Sequence, residues 1–126
     1  MSEIYMPEVL SIQGSAFNRC SYLTSLSLPK VTYIGGSAFN SCSRIYSVYL
    51  ASIKSIYGYA FNSCTSLTYL YLNVSSVPYL QNSYAFSGTK LSSTDGAIYV
   101  PASLSASFKT ATTWSYYSSR IFSYAF

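Results

Sequence analysis

Acid–base catalysis needs two titratable side chains held at one place, and this sequence offers few. It has no histidine, and Glu3, Glu8 and Asp95 are its only acids. Serines are plentiful, yet none has an obvious base, and a Ser–Lys arrangement has nothing in its favour. No phosphate loop or dinucleotide-binding glycine pattern occurs, and Gly35-Gly36 reads as a turn. The chain is therefore read as non-enzymatic. Its remaining reactive groups are Cys20, Cys42 and Cys64, evenly spaced at 22 residues (20 to 42, 42 to 64). Stacked at about 4.8 Å, such thiols would form a ladder. Small apolar filler is one role for it, and a disulfide between neighbours is another. A metal site needs tetrahedral convergence, which a straight ladder does not offer. No metal and no cofactor is expected.

The side chains best suited to binding are aromatic. Tyr5, Ser27, Tyr49, Tyr71 and Tyr99 fall between paired apolar residues, flanked by Tyr69 and Tyr46. In a strand, alternate residues point to opposite faces, so this column would line the outside of a sheet. Tyrosines favour strands and stack across them, which is one explanation. The other is recognition, since rigid amphipathic rings contact proteins and sugars at low entropic cost. On that reading Tyr5, Tyr49, Tyr69, Tyr71 and Tyr99 are the candidate ligand-binding residues.

A repeat must position these columns. Gly14-Ser-Ala-Phe-Asn-Arg-Cys20 returns as Gly36-Ser-Ala-Phe-Asn-Ser-Cys42 and as Gly58-Tyr-Ala-Phe-Asn-Ser-Cys64, so Phe17, Phe39 and Phe61 recur every 22 residues (17 to 39, 39 to 61). A fourth copy, Ser83-Tyr-Ala-Phe-Ser-Gly, puts Phe86 25 residues on (61 to 86), with an insertion near 74–81. Ile12, Ile34 and Ile56 share a column, as do Ile4, Leu26, Val48 and Leu70, and again Met6, Leu28, Leu50 and Leu72. One such coil cannot bury its own apolar face, whereas stacked coils share a continuous core. Each would bury about five or six apolar side chains, worth roughly 1.5–3 kcal/mol apiece before entropy is subtracted. The apolar–x–apolar pairs predict parallel strands near 3–6, 25–28, 47–50, 69–72 and 97–100, with the Ala-Phe-Asn-x-Cys stretch on a turn-rich opposite side. Asn18, Asn40 and Asn62 would bond turn backbone.

The pattern Ile-Gly-x-x-Ala-Phe-x-x-Cys-x-x-Leu-x-x-Leu-x-Leu-Pro, clearest over Leu26 to Phe39, resembles the BspA-like (Treponema pallidum-type) leucine-rich repeats of bacterial surface proteins. The resemblance covers nearly the whole chain. It implies a leucine-rich-repeat solenoid, α/β or mainly β, of stacked coils of about 22 residues with a parallel sheet on one face. It also implies extracellular or cell-surface display and a role in adhesion. The family is defined by its scaffold, and its members bind different things.

The ends differ from the middle. After a last strand, Pro101 suits the first turn of a helix. Leu104, Phe108 and Ala111 fall at helical spacing, predicting a helical cap over 101–112, with Trp114, Tyr116 and Ile121 closing the core. The run Tyr99-Val-Pro-Ala-Ser-Leu with a later Trp-Ser-x-Tyr is similar to the ending of many such proteins from gut bacteria. The first residues match the strand of a repeat, so the first coil begins halfway. Ile121-Phe-Ser-Tyr-Ala-Phe126 parallels Ile56-Tyr-Gly-Tyr-Ala-Phe61 and reads as the start of a further half repeat. Half repeats at both ends would let copies stack head to tail through Ile4, Met6, Ile121, Phe122 and Phe126. Truncation from a longer protein and an isolated monomer are the alternatives.

Composition bounds the rest. The chain has 126 residues, of which 50% are hydrophobic, 18% aromatic and 8% charged. It is neither disordered nor larger than one domain: repeats over 1–100, then cap and half repeat over 101–126. Its net charge of +4 comes from scattered Lys and Arg with no basic stripe, which argues against nucleic acid. No window supplies the roughly 20 apolar residues of a membrane span, and Met1-Ser-Glu-Ile-Tyr shows no signal peptide. The expected partner is a protein or glycan, or another copy of the chain.

Overall fold

The protein is described by a computed structural model over residues 3–126. Met1 and Ser2, where the export-signal reading begins, lie outside them. The chain winds as a solenoid, each of its first four coils giving one strand to each of two parallel sheets. In chain order the strands are β1 (Glu3–Tyr5), β2 (Ser11–Ile12), β3 (Ser25–Leu28), β4 (Tyr33–Ile34), β5 (Ser47–Leu50), β6 (Ser55–Ile56), β7 (Tyr69–Leu72), β8 (Tyr79–Leu80) and β9 (Ala97–Pro101). A six-residue helix α1 (Ser105–Thr110) and a last strand β10 (Ile121–Tyr124) follow. The main sheet runs β1-β3-β5-β7-β9-β10 and the second β2-β4-β6-β8.

The strands follow from alternation. In β3, β5 and β7 the second and fourth residues are buried while the first and third are half-exposed. The register then stacks Ile4, Leu26, Val48, Leu70, Ile98 and Ile121 into one inward column. The second sheet is built on the Ile12, Ile34, Ile56 column, continued by Leu80. The sequence predicts only a turn-rich side here. Its strands are two residues long, too short to show alternation. The step from Ile56 to Leu80 is 24 residues, so the fourth coil gains two residues before β8 and a third between Leu80 and Phe86.

Between the sheets runs a file of phenylalanines. Phe17 stacks on Phe39 at 5.3 Å, Phe39 on Phe61 at 5.2 Å, and Phe61 on Phe86 at 5.6 Å, with planes within 9° of parallel. Burying each ring completely is worth about 1.5–3 kcal/mol. The turn around each ring is set by left-handed backbone two residues before it (Ser15, Ser37, Tyr59) and two after it (Arg19, Ser41, Ser63). These kinks aim amides along the stack. Phe39 N–H donates to Ala60 O at 2.8 Å and Ser41 N–H to Asn62 O at 2.8 Å, and the coils on either side repeat both bonds. Turn backbone that would otherwise be unsatisfied thus joins the ladder. The asparagines bond each other rather than the turn backbone: Asn62 Nδ2 donates to Asn40 Oδ1 at 3.0 Å, and Asn40 Nδ2 to Asn18 Oδ1 at 3.2 Å. Gly35 is fixed by close approach, since a Cβ there would lie 2.5 Å from Gly14 N.

The C-terminal cap departs in detail from the sequence reading. Pro101 stays extended as the last residue of β9, and a 3-10 turn over Ala102–Leu104 precedes α1, so the expected helix over 101–112 is broken in two. Trp114 and Tyr117 close the core against Phe86, at 6.1 Å and 5.7 Å. Tyr116, expected inside, is 64% exposed, while Tyr117 is 2% exposed. The segment Trp114–Arg120 is 3-10 in character, and with three residues per turn positions 114 and 117 share a face. Trp114 Nε1 donates to Pro78 O at 2.8 Å, and the Tyr117 hydroxyl donates to Ser83 O.

The ending also takes a different place from Ile56-Tyr-Gly-Tyr-Ala-Phe61. Ile121 pairs with Ile98 in the main sheet, whereas Ile56 sits in the second. The segment is therefore a sixth strand of the main sheet, not the start of the next Ala-Phe turn.

Candidate binding face

The register that buries the leucines turns the intervening residues outward. Tyr5, Ser27, Tyr49, Tyr71, Tyr99 and Phe122 are consecutive partners across six strands. Tyr69 lies one column over, between Ser47 and Ala97. The rings crowd over β7, β9 and β10. Tyr71 and Tyr99 lie 5.2 Å apart and nearly parallel, Tyr69 and Tyr99 6.1 Å, and Tyr69 and Tyr71 6.3 Å. Tyr46 meets Tyr69 edge-on at 5.4 Å. Tyr49 is held from the side, its hydroxyl accepting from Asn73 Nδ2 at 3.1 Å. At the first strand Tyr5 is 68% exposed. Of the five tyrosines singled out from sequence, Tyr69, Tyr71 and Tyr99 thus form one cluster, with Tyr49 and Tyr5 continuing the column.

Tyr124 was missed by the sequence reading. It projects from β10 onto the same face, 5.0 Å from Tyr99 and 5.5 Å from Tyr71. Phe126 packs on it at 4.8 Å. The residues after β10 therefore cross the face, and with β1, β3, β5 and β7 they enclose an open groove of about 480 Å³. Ser25, Ser27 and Ser47 lie along its sheet side, Tyr5, Tyr49 and Tyr71 rise beside them, and Glu3 stands at the first strand. Parallel pairing between β9 and β10 was the missing information, and the sequence repeat does not carry it. Burial, then the nearby Tyr124, Tyr99 and Tyr69, push the Tyr71 phenol above its usual value, so it stays a neutral donor.

The five residues assigned from sequence to assembly are dispersed. Ile4 and Met6 are half-buried on the first coil, and Ile121 is buried in the core. Phe122 lies on the tyrosine face, where the Arg120 guanidinium sits 5.4 Å from its ring centre. Phe126 lines the groove.

The cysteine column is a core ladder of free thiols, with Cys42 and Cys64 buried and Cys20 half-buried. The Cys42 and Cys64 thiols donate to Phe17 O and Phe39 O, each at 3.1 Å. Hydrogen bonding with Cys42, and then burial, push the Cys64 thiol up. Among the described residues no three His, Cys, Asp or Glu side chains converge as a metal site would require, and no helix is long and apolar enough to cross a membrane.

A family model described as a BspA type leucine rich repeat region fits residues 1–113, in six copies. No curated protein matches the chain.

Proposed function

This chain belongs to the BspA-type leucine-rich repeat family, and from that premise we propose that it is a non-catalytic binding and adhesion module, displayed at a cell surface, whose contact face is the tyrosine-lined outer side of the main sheet. The observation that carries the reading is the ring cluster of Tyr69, Tyr71, Tyr99, Phe122 and Tyr124, on the outward side of a rigid sheet rather than in the core. Large amphipathic rings held in place bury much area for little entropy. They suit a protein or glycan partner. A screen of immobilised glycans and extracellular host proteins tests this, with Tyr49→Ala/Tyr71→Ala beside the unaltered chain and an off-face control, Tyr22→Ala. A ligand whose affinity falls at least about tenfold in the double variant alone supports the reading. Ligands bound equally by all three proteins would sink it.

A second reading, end-to-end assembly, is favoured by the sheet edges. Among the described residues β1 and β10 each have a neighbour on one side only, and the Ile4 and Ile121 columns are in phase. Open edges recruit other strands. A second copy's β1 pairing with β10 would form a heterologous contact that propagates. Light scattering after size exclusion should then show species that grow with concentration, and Met6→Asp/Phe122→Asp should return them to monomer. A monomer at every concentration overturns this second reading.

A further inference from the structure

From the chemistry of the groove, and resting on the binding-face reading above, we infer that it takes a positively charged alkylammonium group presented by the partner. The walls are aromatic and stand at angles. Tyr124 meets Tyr71 at 72° and Phe126 meets Tyr124 at 57°, so their faces point in different directions. A flat sugar is best met by a ring face laid open beneath it, whereas Tyr71 and Tyr99 are stacked on each other at 5.2 Å and 26°. A compact cation is best met by rings surrounding it, because each ring face carries the negative end of a quadrupole.

Charge points the same way. The chain is basic, at +4, yet no Lys or Arg lines the groove among the described residues. The single charged side chain there is Glu3. Of the other two acids, Glu8 is paired with Lys30 at 3.1 Å, and Asp95 lies on the segment before β9. The groove is thus a local site for a cation on a molecule that otherwise repels one. The same face already holds a cation against an aromatic ring at its far end, where Arg120 meets Phe122. An alkylated ammonium sheds its water at less cost than a primary amine and gains more from ring faces, which is the use aromatic cages serve.

The test is a titration of the whole chain with choline and with its uncharged isostere 3,3-dimethyl-1-butanol, at constant ionic strength, followed by tyrosine ring resonances and calorimetry. Choline should bind saturably and shift the rings of Tyr71 and Tyr124, and the isostere should bind at least about tenfold more weakly. Glu3→Gln should weaken choline and leave the isostere unchanged, while Tyr124→Ala/Phe126→Ala should remove choline binding with the circular dichroism of the fold retained. A short peptide carrying trimethyl-lysine, run beside choline, identifies the source. Tighter binding of the peptide means a protein partner, and tighter binding of choline means a choline headgroup. Equal affinity for choline and the isostere, or no binding of choline or the peptide, overturns the inference. Should that happen while Tyr49→Ala/Tyr71→Ala still loses a ligand in the screen, the sheet face stands and only the cation site falls. Choline binding with no ligand in the screen would mean that the groove is the part of the face that binds and that the screen held no partner bearing an alkylammonium group.

Discussion

Ser15, Arg19, Ser37, Ser41, Tyr59 and Ser63 hold φ near +60° without being glycine. For an L-residue that backbone costs roughly 1–2 kcal/mol, so each turn carries strain that inter-coil hydrogen bonding and ring stacking must offset. The fourth coil shows the relaxed solution, since Gly88, two residues after Phe86, occupies the same position at φ 78°. Ser41→Gly should therefore raise stability by about 0.5–1 kcal/mol, the relieved strain less the entropy a glycine adds to the unfolded chain. Gly88→Ala should lower it by about 1–2 kcal/mol, because its Cβ would also sit 3.3 Å from Ser63 Cα. Urea unfolding midpoints measure both, and a Ser41→Gly protein less stable than its parent would refute the strain account. At this scale the sequence disclosed the columns but not their geometry. Phe17, Phe39 and Phe61 announced a ladder by type and spacing. A serine does not announce a left-handed backbone, so the turn had to be seen. Asn40 likewise advertised a hydrogen bond without saying that its partners were the asparagines above and below.

Between the last strands the elements follow rules that the repeat does not encode. Apolar residues at 104, 108 and 111 fit a single α-helix, yet the chain breaks after Leu104, turns at Thr113 with φ 72° and continues in 3-10 form. That break resets the helical phase at Trp114, and Tyr117, three residues on, shares its inward face while Tyr116 points out. Tyr117→Ala should cost about 3–5 kcal/mol, as buried aromatic truncations do, and should loosen Trp114, with which it covers Phe86. Tyr116→Ala should stay within about 0.5 kcal/mol of the parent. Thermal unfolding followed in the near-ultraviolet reads both, and similar losses in the two variants would contradict the packing described. The ending was ambiguous in sequence for a related reason. Ile followed by an aromatic residue occurs in the repeat at the start of the Ala-Phe turn, as at Ile56-Tyr57, and in the main strand, as at Ile4-Tyr5. Pairing with Ile98 decided it, and that choice brought Tyr124 and Phe126 over the tyrosines.

Across the whole molecule burial is uneven. The middle coils hold Phe39, Phe61, Leu50 and Leu72 fully buried, whereas in the first coil Phe17 and Cys20 are half-buried, and Leu10 and Tyr22 are each 63% exposed. At the other end Phe108, Trp114 and Tyr117 seal the file of rings. In a solenoid each coil is held by its neighbours alone, so opening should begin at the first coil and advance inward at rising cost. Phe17→Ala should therefore cost roughly half or less of the 3–5 kcal/mol expected for Phe61→Ala. Amide hydrogen exchange should show Met6 N–H and Arg19 N–H, which bond only to the second coil, exchanging well before Phe61 N–H and Ser63 N–H. Uniform protection across the stack would mean that the coils open as one unit. The gradient matters for binding because Glu3 and Tyr5 belong to this least secured strand while Tyr71 and Tyr124 belong to the sealed end. A ligand in the groove that engages Glu3 and Tyr5 as well as the sealed end would bind only the ordered form, so it should stabilise the first strand by mass action. The expected result is slower exchange at Met6 and Arg19 on adding choline, with the interior amides unchanged. A ligand that left those two amides as fast as before would have to bind without Glu3 and Tyr5, elsewhere on the tyrosine column.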